Sequence, residues 1–317
     1  MTILITGVAG FIGAAVTAAL LARGEAVVGI DDLNAYYSPQ LKRDRLARLG
    51  GDFVFVEVDF SDADALARAL AGHRFDRIVH FGAQAGVGHS LIDPQSYVRS
   101  NLAGHLNLLE VARAATGLRH FVYASSSSVY GANTVLPFAV ADRADHPVSF
   151  YAATKRANEL MTASYAHLFA IPATGLRFFT VYGPWGRPDM AMWRFTDRIL
   201  RGEPIQLYNG GAMRRDFTFI DDIAAGVLAA LDRPPASHVV YNLGNHRAED
   251  LLRVVALIEA ATGREAIREL LPMPPGDVPA TYADIDATTA ALGWTPTTSI
   301  DDGIPRFVDW FRDYTGQ

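Results

Sequence analysis

The chain opens on an apolar run, Thr2–Thr6, that enters Gly7-Val8-Ala9-Gly10-Phe11-Ile12-Gly13. Glycines at these places allow a tight turn and let the backbone approach a pyrophosphate. They seat it at the N-terminus of the next helix, where unpaired N–H groups and the helix dipole favour an anion. The same glycines also occur where a helix merely packs on a sheet, so the surroundings decide. Here a strand precedes, an amphipathic helix follows, and a second strand ends at Asp31-Asp32. An acid at that distance accepts the ribose hydroxyls of an adenosine and repels a 2′-phosphate. No arginine adjoins it in the sequence, which favours NAD over NADP. Asp59-Phe60, beyond a third strand, can bracket the adenine. Phe81-Gly82-Ala83, beyond a fourth, can let a cofactor pass close to the backbone.

A second set of residues suits proton transfer. Tyr151 and Lys155 stand four apart and share a face if the segment is helical. A phenol ionises near pH 10. A lysine ammonium together with an oxidised nicotinamide would favour tyrosinate and draw that value toward neutrality. Tyr151 then takes a proton from a substrate hydroxyl while hydride leaves the same carbon. Upstream lies Ser125-Ser126-Ser127-Ser128-Val129-Tyr130-Gly131, where Ser126 either relays the proton or holds the hydroxyl.

Composition narrows the class. With 317 residues, half of them hydrophobic, the chain can bury a sizeable core and make about two domains. Its 28 basic and 34 acidic residues leave a net charge of -6 with no basic patch, against a nucleic-acid partner. The absence of cysteine excludes disulfides, thiolate metal sites and cysteine nucleophiles. His80 and His89 lack ligand-spaced partners, so no metal is expected. No apolar run is long enough to span a membrane. The start has no basic n-region, so a cytoplasmic protein is expected.

These groups need elements to hold them. Strands are expected at Thr2–Thr6, Ala26–Ile30, Phe53–Val58, Arg77–Phe81, His120–Ala124 and Ala173–Phe178. Several are apolar on both faces, as strands covered by helices on both sides are. Helical patterns lie between them at Phe11–Arg23, Ala63–Ala71, Pro94–Ala115 and Ala152–Phe169. The alternation predicts a doubly wound α/β fold with a parallel Rossmann-type sheet. Residues 1–180 form its cofactor domain, to which 216–245 return as a helix and a strand. The rest of 181–317 forms a smaller C-terminal substrate-binding lobe.

The glycine spacing and the serine, tyrosine and lysine set resemble the extended short-chain dehydrogenase/reductase family, in its branch acting on nucleotide sugars. Three longer runs, Asp31–Tyr37, His146–Glu159 and Arg177–Ala191, resemble its UDP-glucuronate 4-epimerases. The resemblance implies bound NAD, oxidation of C4, turning of the 4-keto sugar, and return of hydride to its other face. It adds Phe11, Ile12, Asn34, Asn101 and Ser125 to the cofactor contacts. The intermediate is a β-keto acid, so the enzyme must keep the carboxylate bond out of line with the carbonyl π system. Thr180 and Arg187 are the candidates for this, with Ser126 and Ser127 helping. A guanidinium forks a carboxylate well, although Arg187 also reads as a solvated loop charge. Arg214-Arg215 resembles a diphosphate-binding segment, with Arg215 favoured as the contact. Asp277 either holds the nucleotide ribose or is a turn acid. Met190, Trp193 and Phe195 either wall the uracil or pack a core. The resemblance also implies a homodimer through the helices Pro94–Ala115 and Ala152–Phe169, with a monomer the alternative.

Three other readings compete. Relatives that decarboxylate or dehydrate carry an acid where this chain has Ser126-Ser127-Ser128. Neutral-sugar epimerases carry asparagine in place of Thr180. A non-catalytic NAD-binding protein would lack Tyr151 or Lys155, and both are present.

Overall fold

The computed structural model describes residues 2–273 and 278–317. Its central sheet holds seven parallel strands. They are β1 (Thr2–Thr6), β2 (Ala26–Asp31), β3 (Phe53–Glu57), β4 (Arg77–His80), β5 (His120–Ser126), β6 (Ala173–Phe178) and the strand His238–Leu243. Across the sheet the order is His238–Leu243, β6, β5, β4, β1, β2, β3. The winding reverses between β1 and β4, which opens a crevice at their carboxyl ends. Register decides what meets there. Thr6 pairs with Ile30 on one side and His80 on the other, while Ser125 and Ser126 lie opposite Arg177 and Phe178. The glycine turn, the acids after β2, the segment after β4 and the serines of β5 therefore emerge along one edge.

Helices cover both faces, so Ile3, Leu4 and Ile5 are all fully buried. The helices up to the segment of Tyr151 and Lys155 are α1 (Phe11–Ala22), α2 (Pro39–Ala47), α3 (Ala63–Ala69), α4 (Pro94–Tyr97), α5 (Gly104–Ala114) and α6 (Phe150–Phe169). The Ser149 side chain caps α6 by accepting the Ala152 N–H at 3.1 Å. Between α4 and α5 the chain takes a π-helical stretch, Val98–Ala103, within the single helix expected there. Such stretches re-aim side chains, and this one carries the buried Asn101.

Later come α7 (Ala191–Arg201), α8 (Ile220–Leu231), α9 (Leu251–Thr262), α10 (Asp286–Leu292) and α11 (Ile300–Thr315). Short strands link them: Thr180–Tyr182 pairs with Phe217–Phe219, and Arg214–Arg215 runs between Glu249–Asp250 and Ala280–Thr281. The buried Asp216 carboxylate gathers this region. It accepts the N–H groups of Asn245, His246 and Ala283 at 2.5, 3.1 and 3.0 Å, and the Thr218 hydroxyl at 3.0 Å.

α2 has no counterpart among the expected helices, because Gln40–Arg45 is mostly charged and shows little apolar periodicity. It holds the fully buried Arg45. That guanidinium donates to Ala9 O at 3.0 Å, to Trp185 O at 3.0 and 2.7 Å, to Gly186 O at 3.0 Å and to the Tyr37 hydroxyl at 2.7 Å. One cation thus ties the glycine turn to the segment leading into Arg187. Arg45→Met should leave those carbonyls buried without a donor and cost about 3 kcal/mol of stability. Guanidinium chloride unfolding measures this, and a loss under about 1 kcal/mol would contradict the role given to the cation.

Candidate active site

A cavity of about 750 Å³ opens at the carboxyl edge of the sheet, within the range usual for small-molecule sites. Gly7, Gly10, Phe11, Ile12 and Gly13 line one end. Gly7 has φ +69°, and a Cβ on it would meet Gly82 N at 2.7 Å. A Cβ on Gly13 would lie 2.1 Å from Gly7 O. Bare backbone is thus a steric necessity there. No side chain caps the start of α1 at Gly10, which leaves its first N–H groups for an anion. The residues present fit a dinucleotide.

Asp31, Asp32 and Asn34 line the same end. Asp31 also braces the turn, accepting Ala9 N–H at 3.1 Å and Leu33 N–H at 2.9 Å. Burial raises its pKa, and the Lys42 ammonium 4.0 Å away opposes that rise. The sequence shows no arginine beside these acids, yet the fold brings this lysine, which also donates to Asn34 O at 2.9 Å. Asp32 accepts from the Asn34 backbone and side-chain nitrogens at 3.2 and 2.8 Å. Phe60, Phe81, Gly82 and Ala83 form the wall beyond.

Two expected cofactor residues lie off the cavity. Asp59 accepts the Ser61 N–H and hydroxyl at 2.8 and 2.7 Å. Asn101 stands behind the wall, accepting Gln84 N–H at 2.7 Å and donating to Gln84 O and Thr154 Oγ1, both at 3.1 Å. It positions the lining residue Gln84. Position along a sequence does not tell which way a polar side chain turns.

Tyr151, on the first turn of α6, faces Ser126 at the end of β5, and both line the cavity with Ser125, Ser127 and Lys155. Burial raises the Tyr151 pKa, against a hydrogen bond with Ser126 and the positive charge of Arg187. The sequence reading has Lys155 together with an oxidised nicotinamide lowering it. Lys155 lies with its Nζ 6.0 Å from the Tyr151 ring centre and donates to Ala124 O at 3.0 Å. Burial pushes that ammonium down to about 8, because a closed pocket disfavours charge on both groups. Ser125 gives its hydroxyl to Glu159 at 2.6 Å, and Glu159 pairs with Arg177 at 2.8 and 2.9 Å. This buried ion pair fixes α6 against β5 and β6.

Thr180, Arg187, Met190 and Arg215 line the same cavity. Arg187 donates from Nε and Nη2 to the two oxygens of Asp189, at 3.0 and 2.5 Å. Burial would raise Asp189, but this pairing holds it below the usual carboxylate range. Tyr36 donates to the same carboxylate at 3.1 Å. Neither Tyr36 nor Asp189 has a role in the sequence reading, although both sit inside the resembling runs. Arg215 lines the cavity while Arg214 pairs outside with Asp250 at 3.3 Å. Trp193 packs on Trp310 and Phe311, and Phe195 is core, so of the three expected wall residues only Met190 reaches the cavity. Asp277 lies outside the described residues. His80 is buried and bonded to Thr6 Oγ1 at 2.6 Å, while His89 lines the cavity beside Tyr36. Among the described residues, no group of three acids or histidines is placed to hold a metal.

Burial of the Lys155 ammonium has a stability consequence. Its folded pKa of about 8 lies below the ordinary 10.5, so between these values the unfolded chain binds the extra proton. Stability therefore rises with pH through that window and carries the full burial penalty below it. Lys155→Met should flatten that part of the curve in denaturant unfolding at stepped pH. Parallel curves for the two proteins would refute the shift.

Residues 3–244 match the NAD dependent epimerase/dehydratase family. The chain is 45% identical to UDP-glucuronate 4-epimerase 1 of Arabidopsis thaliana, over all of this chain (100%) and 78% of the relative. It is 45% identical to the probable UDP-glucuronate 4-epimerase of Rhizobium meliloti, over 98% of this chain and 97% of that one. The crystal structure of UDP-glucuronic acid 4-epimerase from Bacillus cereus, in complex with UDP-glucuronic acid and NAD, superposes with a TM-score of 0.89 at 34% identity. That match covers 99% of this chain and 100% of the other. The chain belongs to the NAD-dependent epimerase/dehydratase family, whose dinucleotide its glycine-turned cleft is shaped to hold.

Proposed function

We propose that the protein is a UDP-glucuronate 4-epimerase that yields UDP-galacturonate. The observation that carries this reading is one cavity running from the glycine turn past Ser126, Tyr151 and Lys155 to Arg187 and Arg215. Residues 1–180 with 216–245 hold the cofactor, and the rest of the C-terminal lobe holds the nucleotide sugar. NAD, when bound, accepts a hydride from C4 of the sugar and returns it. Tyr151 takes the C4 hydroxyl proton and gives it back, with Ser126 hydrogen-bonded to the phenol. Lys155 supplies positive charge behind the phenol once protonated. Thr180, Ser127 and Arg187 hold the carboxylate away from alignment with the C4 carbonyl, and Arg215 meets the diphosphate.

The acids lining the cavity among the described residues support epimerisation over decarboxylation. They are Asp31, Asp32 and Asp189. The first two stand at the nucleotide end and the third is paired with Arg187. None is placed beside Tyr151 to protonate a carbanion after loss of carbon dioxide.

The protein is further proposed to be a cytoplasmic homodimer. No helix among the described residues is long and apolar enough to cross a membrane. Val98 and Leu106 on one helical segment, and Leu160 and Leu168 on the neighbouring α6, leave large apolar side chains exposed. Such clusters on a soluble surface mark interfaces.

Incubation with UDP-glucuronate followed by proton NMR tests the reaction. UDP-galacturonate is the expected product, and a pentose nucleotide with carbon dioxide would refute it. Tyr151→Phe should lower turnover by about a thousandfold or more with NAD still bound. Arg187→Ala should weaken UDP-glucuronate far more than UDP-glucose, and equal weakening would remove it from the carboxylate. In sedimentation, wild type should run as a dimer and Leu106→Glu with Leu160→Glu as a monomer. A monomeric wild type would refute that assembly.

A further inference from the structure

Arg187 is not a bare cation. Its Nε edge is closed by Asp189 through two hydrogen bonds of 3.0 and 2.5 Å. Of its two bidentate edges only the Nη1–Nη2 end is left, and much of its charge is already balanced. Tyr36 adds a third member, donating to Asp189 Oδ2 at 3.1 Å from a residue 153 positions away. Burial, and then the Asp189 charge, push the Tyr36 phenol up to about 12, which keeps it the donor. Its placement is tight: a Cβ on Gly86 would lie 2.4 Å from the Tyr36 hydroxyl oxygen, and the Tyr36 and His89 rings are 4.8 Å apart.

An enzyme that removes and returns hydride through one carrier must show that carrier both faces of C4. The sugar therefore turns in the site, and its carboxylate must let go of whatever holds it. An unpaired buried arginine would hold a carboxylate in two parallel charge-assisted bonds. Binding so tight to the unturned sugar lowers KM and slows the step that follows.

We propose that Asp189 is a positioning residue that keeps Arg187 half-engaged, so that its grip on the substrate carboxylate is loose enough for the sugar to turn. Tyr36 sets the balance by drawing some of the Asp189 charge away from the arginine. The inference rests on Arg187 meeting the carboxylate, as proposed above.

The two partners act with opposite sign. Asp189→Asn frees the arginine charge while keeping an acceptor in place. UDP-glucuronate should bind about tenfold tighter to the NAD-loaded protein by calorimetry, with kcat down about tenfold. Tyr36→Phe strengthens the Asp189 pairing and should weaken UDP-glucuronate binding several-fold without that loss of kcat. UDP-glucose, which has no carboxylate, should bind both variants as it binds wild type. Weaker UDP-glucuronate binding in Asp189→Asn, or shifts of the same sign in both variants, would overturn the inference and mark the trio as scaffolding. Arg187→Ala separates the two layers: if it selectively weakens UDP-glucuronate and Asp189→Asn does not tighten it, only the present inference fails.

Discussion

No side chain fits where the first turn of the chain crosses the carboxyl edge of the sheet. Gly7 meets the Gly82 backbone and Gly13 meets the Gly7 carbonyl, each closer than any Cβ allows. That contact sets where α1 begins and where its free N–H groups point. It also lets the segments that leave β1 and β4, the two strands that flank the crevice, pass at backbone contact. The parallel register then carries the same edge sideways to Asp31 on one flank and to Ser126 on the other. The site is in this sense an edge property of the sheet: its parts come from strands distant in sequence and adjacent in space.

Charge is handled differently along that edge. Where a carboxylate or guanidinium is buried deeply, it is paired: Glu159 with Arg177, and Asp31 with two backbone donors and Lys42 nearby. Buried charge without such partners would cost several kcal/mol. Lys155 is the exception, with a single carbonyl partner and its pKa lowered by burial to about 8. Structural pairs lock elements together, while a lightly satisfied amine stays close to titration and responds to what enters the cavity. That contrast separates the scaffold from the proposed proton-transfer set more sharply than position in the fold does.

Much of this is legible in the sequence, for identifiable reasons. Strands buried on both faces read as β-branched runs, and β1 and β6 have the bounds their apolar residues suggest. β5 continues through Ser125 and Ser126, whose polarity reads as a loop, because Arg177 and Phe178 supply the opposite strand. The Tyr151 and Lys155 pair is local, so helical spacing reveals it. Arg45, Tyr36 and Asp189 are invisible to spacing. Arg45 meets Trp185 140 residues away and Tyr36 meets Asp189 153 residues away, and a lone arginine in a charged segment looks solvated. The upward push that burial gives the Tyr151 phenol is equally invisible, since desolvation depends on closure of the pocket and sequence carries no measure of it.

The loop before Arg187 is held from α2. Trp185 sits at φ +67°, a left-handed conformation that costs a residue with a Cβ about 1–2 kcal/mol. Two groups of α2 and its C-cap residue offset it. Arg45 donates two bonds to the Trp185 carbonyl and one to Gly186, Arg48 stacks 4.4 Å from the Trp185 ring centre, and Asp44 accepts the Tyr314 hydroxyl beside it. Because Arg45 also holds Ala9 O in the glycine turn, a shift of that turn moves the backbone two residues before Arg187. The glycine turn and the segment leading into Arg187 are thus joined by a short path through one side chain. A reaction that needs hydride carrier and phenol in fixed relation draws on such a path, since small misplacements of reacting groups are costly.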